Sequence, residues 1–330
     1  MGLHNVKTDI KGTYMGIDVG GTKIAAALVD RTGRILWKTR IATEIASEEI
    51  LLAQIDELIQ NGLTFCLRER PEDPIIGVGI GAPGSVDRDH GIALGAGNLP
   101  WKDAPIKSRL ENKYAIAVYL ENDTNAGALG ELWFGEWGKV KDFIYIALGT
   151  GVGSGIIINR HLYYGAGKAG EVGHIIIDPS GLQCKCGTQG CLETLVSAPA
   201  IAMRAKTAMR SSRRTMMTTY ASKAGGITSE KVSQAAWLGD RIAMDVITDV
   251  ARDLAIGLAM VFRLLDPELI ILGGGVTAAG ERFASIIKNE MLRLNKDFRK
   301  YIDRLALSKL GQDSGAVGAA AVVLDRMVDN

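Results

Sequence analysis

The chain has 330 residues, 47% of them hydrophobic, and a formal net charge of +1 at pH 7. That is enough apolar material for two domains or one large α/β unit, and the near-zero charge supplies no global field toward nucleic acid or an anionic membrane. Met1 to Thr13 is polar and lacks the apolar core of a signal peptide, the longest apolar stretches are broken by glycine or by charges such as Asp253 and Arg263, and the 4 cysteines are mostly clustered, so a reducing cytoplasm is expected and neither secretion nor membrane insertion.

Taken in chain order, Tyr14 to Val19 reads as a strand that stops at Gly20-Gly21. Ile24 to Asp30 resumes as a strand, and Thr32-Gly33 turns into a third, Ile35 to Arg40. Glu48 to Gln60 has apolar residues at helical spacing. Ile75 to Ile80 is a short apolar run typical of a buried strand. A helix at Ala104 to Lys113, a buried strand at Ala117 to Leu120 and a helix at Asn125 to Trp133 follow. The pattern then restarts. Asp142 to Leu148 is a strand, Gly149 to Gly155 a glycine-rich turn, and Ile156 to Asn159 a strand. Helices run from Ala198 onward, with a long one near Asp240 to Leu265. Leu269 to Leu272 is a buried strand, and Ile286 to Leu294 and Ala316 to Met327 are helices.

A strand, a glycine turn and a strand therefore occur twice, each time followed by further α/β structure. This weak internal duplication predicts two α/β lobes with a cleft between them. The seam is expected near Asn122 to Gly127, giving a small lobe of residues 1–122, joined by a C-terminal helix at 314–330, and a large lobe of residues 123–313. Lys206 to Gly226 reads as an irregular helical connection without a motif. The basic cluster from Arg210 to Arg214 is short, lacks interleaved aromatics, and reads as a solvated helix end or loop.

The densest chemistry lies in HIIIDPSGLQCKCGTQGCLE, where His174, Cys184, Cys186 and Cys191 follow the spacing His-x9-Cys-x-Cys-x4-Cys. One imidazole and three thiolates form a closed set suited to tetrahedral Zn²⁺, with no open position for water, so the metal is expected to be structural. Soft sulfur donors argue against Mg²⁺ and Ca²⁺. The competing account is a disulfide or a chance cluster, but Cys184 and Cys186 are too close in sequence for an easy disulfide.

Two glycine-rich segments invite phosphate. In Asp18-Val-Gly-Gly-Thr-Lys23, small residues let backbone N–H groups approach phosphate oxygens, the Thr22 hydroxyl adds a donor, and Asp18 could hold Mg²⁺ through water. It is not a Walker A loop, and an ordinary glycine hairpin accounts for it almost as well. The second, Leu148-Gly-Thr-Gly-Val-Gly-Ser-Gly155, repeats the device after a strand, and two such loops in equivalent places are harder to dismiss than one. Gly79 to Gly84 formally matches GxGxxG, but Pro83 and the SVDRDHG turn open no helix, so a dinucleotide fingerprint is rejected.

Glu121-Asn-Asp-Thr-Asn125 follows a buried strand and puts Asp123 at a strand's carboxyl end, where α/β ligand sites collect. A carboxylate there could take a proton from an attacking hydroxyl, and Asn122 could bond a polyol. Helix capping explains the same residues equally well. In Gly165 to His174, Glu171 and His174 lie three apart, and Glu193 closely follows the last cysteine. The metal loop could stiffen a wall presenting both glutamates, with one His174 nitrogen on the metal and the other toward the cleft. Gly273-Gly-Gly275, in LGGGV after a late strand, could let an adenine ring lie against backbone, or be a plain turn.

DVGGTK, ENDTN, LGTGVGSG, GAGKAGEVGH, CKCGTQGCLE and LGGGV occur in the order of the ROK family (repressor, open reading frame, kinase), which the chain resembles from about Tyr14 to its last helix. CxCGxxGCxE is specific to that family, while glycine loops are shared by many actin-like ATPases. The resemblance implies an actin-like, hexokinase-type, ribonuclease H-like α/β fold of two lobes with an interlobe cleft. By position, Asp123 resembles the catalytic base for a sugar 6-hydroxyl and Asp18 the Mg²⁺-linked carboxylate. Gly16, Ile17, Asp18, Val19, Gly20, Gly21, Thr22 and Lys23 resemble one phosphate segment. Gly149, Thr150, Gly151, Val152, Gly153, Ser154 and Gly155 resemble the other, with Gly274 and Gly275 by the nucleotide. Asn122, Asp123, Glu171, His174 and Glu193 resemble sugar partners, as do Asn98 and Gly84. Thr124 stands where many members carry alanine.

The implied function is ATP-dependent phosphorylation of a hexose 6-hydroxyl, with Mg²⁺ and structural Zn²⁺. NLPW and GAPGSVDRDHG look most like the glucokinase branch, which favours glucose. N-Acetylmannosamine and N-acetylglucosamine kinases share the same polar set. A sugar-responsive repressor of the same family would carry an added helix-turn-helix. Only about 13 residues precede the first strand here, so DNA binding is not expected. The resemblance also suggests a homodimer or homotetramer.

Overall fold

The computed structural model describes residues 12–97, 99–211, 215–222 and 225–328. Asn98 and most of the basic cluster, Ser212 to Arg214, lie outside them.

Among the described residues, twelve strands make two five-stranded sheets and a small ribbon. β1 (Thr13–Val19), β2 (Lys23–Val29), β3 (Ile35–Ala42), β4 (Ile75–Ala82) and β7 (Ala117–Asn122) form the first sheet, in the order β3-β2-β1-β4-β7. β5 (Ser85–Asp87) and β6 (Ile92–Gly95) pair as the ribbon. β8 (Phe143–Leu148), β9 (Val152–Ile158), β10 (His161–Leu162), β11 (Leu269–Gly273) and β12 (Leu305–Leu307) form the second, in the order β10-β9-β8-β11-β12. Each sheet has an antiparallel three-strand edge continued by two parallel strands. The duplication is thus one of topology.

The α-helices among the described residues are α1 (Glu48–Glu69), α2 (Ile106–Tyr114), α3 (Asp123–Phe134), α4 (Glu193–Val196), α5 (Ala198–Ser211), α6 (Met217–Ala221), α7 (Ser229–Trp237), α8 (Arg241–Leu265), α9 (Glu281–Leu294) and α10 (Ser314–Val328). Local chemistry explains their starts. Ser47 caps α1 by accepting from Ile50 N–H at 3.3 Å, with Glu48 and Glu49 in the first turn, and Asp240 caps α8 by accepting from Ala243 N–H at 3.0 Å. α1 runs well beyond Gln60. Asn61-Gly62 reads locally as a stop, but Gly62 is buried against Met15 and Cys66 continues the apolar face, so packing overrides the turn signal.

The chain divides into two compact units, the described residues of Met1–Gly138 with Lys309–Asn330, and Lys139–Ser308. The division therefore falls after Gly138, not near Asn122 as the sequence predicts, and the return segment begins at Lys309, not at residue 314. The reason is that α3 packs along α10 inside the first unit. α10 also lies on β1 and β4. It can come so close because a Cβ at Gly16 would sit 1.9 Å from Ala316 O, and one at Gly79 1.8 Å from Ala319 O. Met15, Ile17, Ile55, Leu58, Ile59 and Ile80 build the core between the sheet and α1. In the second unit Ile144, Ile146, Leu254, Leu258, Phe262, Ile270 and Leu272 join the sheet to α8. Among the described residues no helix is long and apolar enough to cross a membrane.

Candidate active site

In the first unit, β1, β4 and β7 run parallel, with Asp18 opposite Gly81 and Gly81 opposite Glu121. Carboxyl ends of three neighbouring strands therefore gather Asp18 and, two residues after Glu121, Asp123. Parallel α/β sheets present ligands to groups at this edge. The DVGGTK turn is tight. Gly20 N–H donates to Lys23 O at 3.0 Å, and β2 begins at Lys23. Thr43, which the sequence does not single out, closes the turn from β3 by donating through Oγ1 to Gly20 O at 2.6 Å, while its N–H donates to Thr22 O at 3.1 Å.

Asp123 is the first residue of α3. Burial, with the negative charge of Asp18 next in size, pushes its carboxyl up to about 7, although Thr124 N–H donates to Oδ1 at 2.9 Å and pulls the other way. Asp18 is pushed up to about 6 by burial, offset by Lys23 and Arg40. Two neighbouring carboxyls are thus held near neutrality, where one can accept a proton at working pH.

Asn122 is the cap of α3. Its Oδ1 accepts from Thr124 N–H at 3.0 Å, Thr124 Oγ1–H at 2.7 Å and Asn125 N–H at 3.2 Å. Its Nδ2 donates to Gly84 O at 3.2 Å, which brings the GAPG turn to the same place. Capping therefore belongs to Asn122 and leaves Asp123 available. Glu121, which sequence reasoning passes over, is 1% exposed and accepts from Asn122 N–H at 3.0 Å and Asn125 Nδ2 at 3.1 Å. A carboxylate at the end of an apolar run is its sequence signal.

In the second unit the glycine segment is not the open loop that the sequence predicts. Only Gly149 to Gly151 form the turn, closed by Gly149 N–H donating to Gly151 O at 2.9 Å. Val152, Gly153, Ser154 and Gly155 are strand residues of β9 paired with β8. Pairing the edge of a buried sheet satisfies their backbone groups and overrides the weak strand preference of glycine. Gly273 pairs with Ala147, and Gly274 lies against the backbone of Leu148, so the LGGGV turn stands beside the glycine turn at the ends of parallel β8 and β11.

Glu171, His174 and Glu193 also belong to this unit. His174 Nδ1 is 3.7 Å from Cys184 Sγ, and its Nε2 is 3.9 Å from Glu171 Oε2. The imidazole therefore faces the cysteines with one nitrogen and Glu171 with the other. Glu193 Oε2 accepts from Val152 N–H at 2.8 Å.

The four predicted metal ligands converge, with one donor atom of each within 4.8 Å of all the others. Cys186 Sγ and Cys191 Sγ are 3.6 Å apart and all cysteines are free, so the disulfide account fails. A tetrahedron with metal–sulfur bonds of about 2.3 Å has edges of about 3.8 Å, so the donor set fits one ion of that size. Cys184 N–H donates to Thr188 O at 2.8 Å and Gly187 N–H to Cys184 O at 3.1 Å, which closes the cysteine turn.

The ROK family matches residues 14–326. The chain belongs to the ROK family. It has the actin-like, hexokinase-type α/β fold. A glucokinase from Halalkalibacterium halodurans is 35% identical over 320 residues, covering 94% of each protein. A xylose repressor from Caldicellulosiruptor bescii is 34% identical over 330 residues, covering 99% of this chain and 81% of the repressor. A solved ROK family glucokinase from Streptomyces griseus, in complex with glucose and AMPPNP, is 35% identical with a TM-score of 0.79, covering 96% of this chain and 100% of that one.

Proposed function

We propose that the chain is an ATP-dependent hexose kinase that phosphorylates the 6-hydroxyl of glucose. The observation that carries this is Asp123, at a strand-end edge with its carboxyl raised to about 7. The S. griseus glucokinase, bound to glucose and AMPPNP, supports the choice of both substrates. Asp123 accepts the proton of the sugar hydroxyl as that oxygen attacks the terminal phosphorus of ATP, whose bond to the bridging oxygen breaks so that ADP leaves. Phosphoryl transfer needs positioning and charge neutralisation more than covalent chemistry. Backbone N–H groups of the turns at Gly21–Thr22 and Thr150–Gly151 hold phosphate oxygens, while those of Gly20, Gly149 and Val152 are donated within the protein. Asp18 would hold Mg²⁺, which would neutralise phosphate charge. Asn122, through the Nδ2 hydrogen not used on Gly84, bonds the sugar, as do Glu171, His174 and Glu193. Asn98 and Gly84 complete this set. Zn²⁺ is the ion that suits one imidazole and three thiolates, and its place is structural.

Steady-state ADP formation with glucose, mannose, N-acetylmannosamine and N-acetylglucosamine tests the reading. Glucose should give the highest kcat/KM. A higher value for an N-acetylated sugar would move the substrate, and no ADP with any sugar would remove the kinase. The second reading, a sugar-responsive regulator, is favoured by the xylose repressor relative. Sugar-dependent retardation of operator DNA in a gel, without ADP formation, would establish it.

A further inference from the structure

Glu193 opens α4 two residues after Cys191, and its carboxylate is seated on the glycine turn. Oε2 accepts from Val152 N–H at 2.8 Å. A Cβ at Gly151 would come within 2.5 Å of the same oxygen, so the carboxylate fills the space that a side chain at 151 would need. A few residues on, Ala198 N–H donates to Gly149 O at 2.8 Å. One short segment therefore grips the turn at both ends, 149 and 152. On the other flank a Cβ at Gly173 would lie 2.0 Å from Val152 O, so the turn has no room to retreat from that grip. Glu193 Oε1 makes no hydrogen bond among the described residues.

We propose that Glu193 is a shared carboxylate: Oε2 positions the phosphate turn through Val152 N–H, while Oε1 takes a sugar hydroxyl. This rests on the sugar-kinase reading and adds to it a route by which the two substrates sense each other. Glu193 is a positioning residue toward the nucleotide, because it acts through the backbone of residues 151 and 152. A sugar hydroxyl on Oε1 fixes the carboxylate, and the fixed carboxylate orders the turn. Linkage requires that nucleotide then raise sugar affinity by the same factor. Neither effect involves a bond made or broken in the protein.

The test is calorimetric titration of AMPPNP with Mg²⁺ into wild type, Glu193→Gln and Glu193→Ala, each with and without saturating glucose. Without glucose, Glu193→Ala should bind AMPPNP roughly tenfold more weakly, as expected for loss of one charge-assisted hydrogen bond. Glu193→Gln keeps a carbonyl acceptor and should stay within about threefold of wild type. Glucose should tighten AMPPNP binding to wild type and leave Glu193→Ala unaffected. Exchange of the Val152 amide, read by mass spectrometry over 149–155, should speed up in Glu193→Ala and not in Glu193→Gln. Should Glu193→Ala fail to fold, Glu193→Asp, one methylene too short to reach Val152 N–H, replaces it. Wild type that binds AMPPNP while Glu193→Ala matches it without glucose would sink the shared carboxylate alone. Wild type that binds no AMPPNP would sink the kinase reading and this coupling with it.

Discussion

Asp123→Asn is the substitution that separates chemistry from binding most cleanly. The amide is isosteric and keeps an oxygen for Thr124 N–H, which now donates to Oδ1 at 2.9 Å, so the start of α3 should be undisturbed. It cannot take up a proton. A positioned general base contributes about 10²–10⁴-fold, or about 3–5 kcal/mol of barrier, and kcat should fall by that factor. Glucose binding, measured by calorimetry, should stay within a few-fold. The pH profile of the wild type carries the same information. With the carboxyl at about 7, it is about one-tenth ionised at pH 6 and about nine-tenths at pH 8. kcat/KM should therefore rise about tenfold per pH unit on the acid side and level off above about 7.

Stability should move the opposite way. The folded protein holds this proton to about 7, whereas the ordinary value is 3.8. The native state thus binds more protons between those values, and the group's contribution to stability is fully present below about 4 and is lost as pH rises through about 7. Asp123→Asn removes the cost of ionising a buried carboxyl next to Asp18. It should raise Tm at pH 8 and change it little at pH 4. Near-normal kcat in Asp123→Asn, with coupled ADP detection, would refute the assignment of the base.

Thr124→Ala removes one of three donors to Asn122 Oδ1 and leaves both backbone donors. It should cost about 0.5–1.5 kcal/mol by urea denaturation and lower kcat less than tenfold, since the cap survives. Cys186→Ser breaks a four-donor set; plasma emission analysis should find about one equivalent of zinc in the wild type and markedly less in the variant, with a lowered Tm. Zinc-free wild-type protein, freshly purified, would count against the metal. Gly79→Ala forces a Cβ to within 1.8 Å of Ala319 O, backbone against backbone, so α10 must shift. A loss of about 1–3 kcal/mol is expected on denaturant titration, and an unchanged midpoint would show that α10 docks differently.

Short-range chemistry was legible in the chain alone. The four metal donors lie within eighteen residues, His174 to Cys191, and thiolates and imidazole attract one cation whatever surrounds them. Glycine turns after apolar runs, and the long helix opening near Asp240, rest on local chemistry and needed no fold to be read. What only the tertiary structure decided are the relations between distant segments. The strand order β1-β4-β7 brings Asp18 to Asp123 and buries both; burial raises each carboxyl, and the charge of Asp18 raises Asp123 further. Sheet pairing draws Val152 to Gly155 out of the glycine loop into β9, and burial carries α1 through Asn61-Gly62. α10 returns to α3 and moves the division of the chain to Gly138. The sequence marks Glu193 as a sugar partner beside the metal loop, but its seat on Val152 exists only because the segment after the cysteines folds back against β9. Pairing, burial and charge proximity are sums over neighbours in space, and a linear pattern does not contain them.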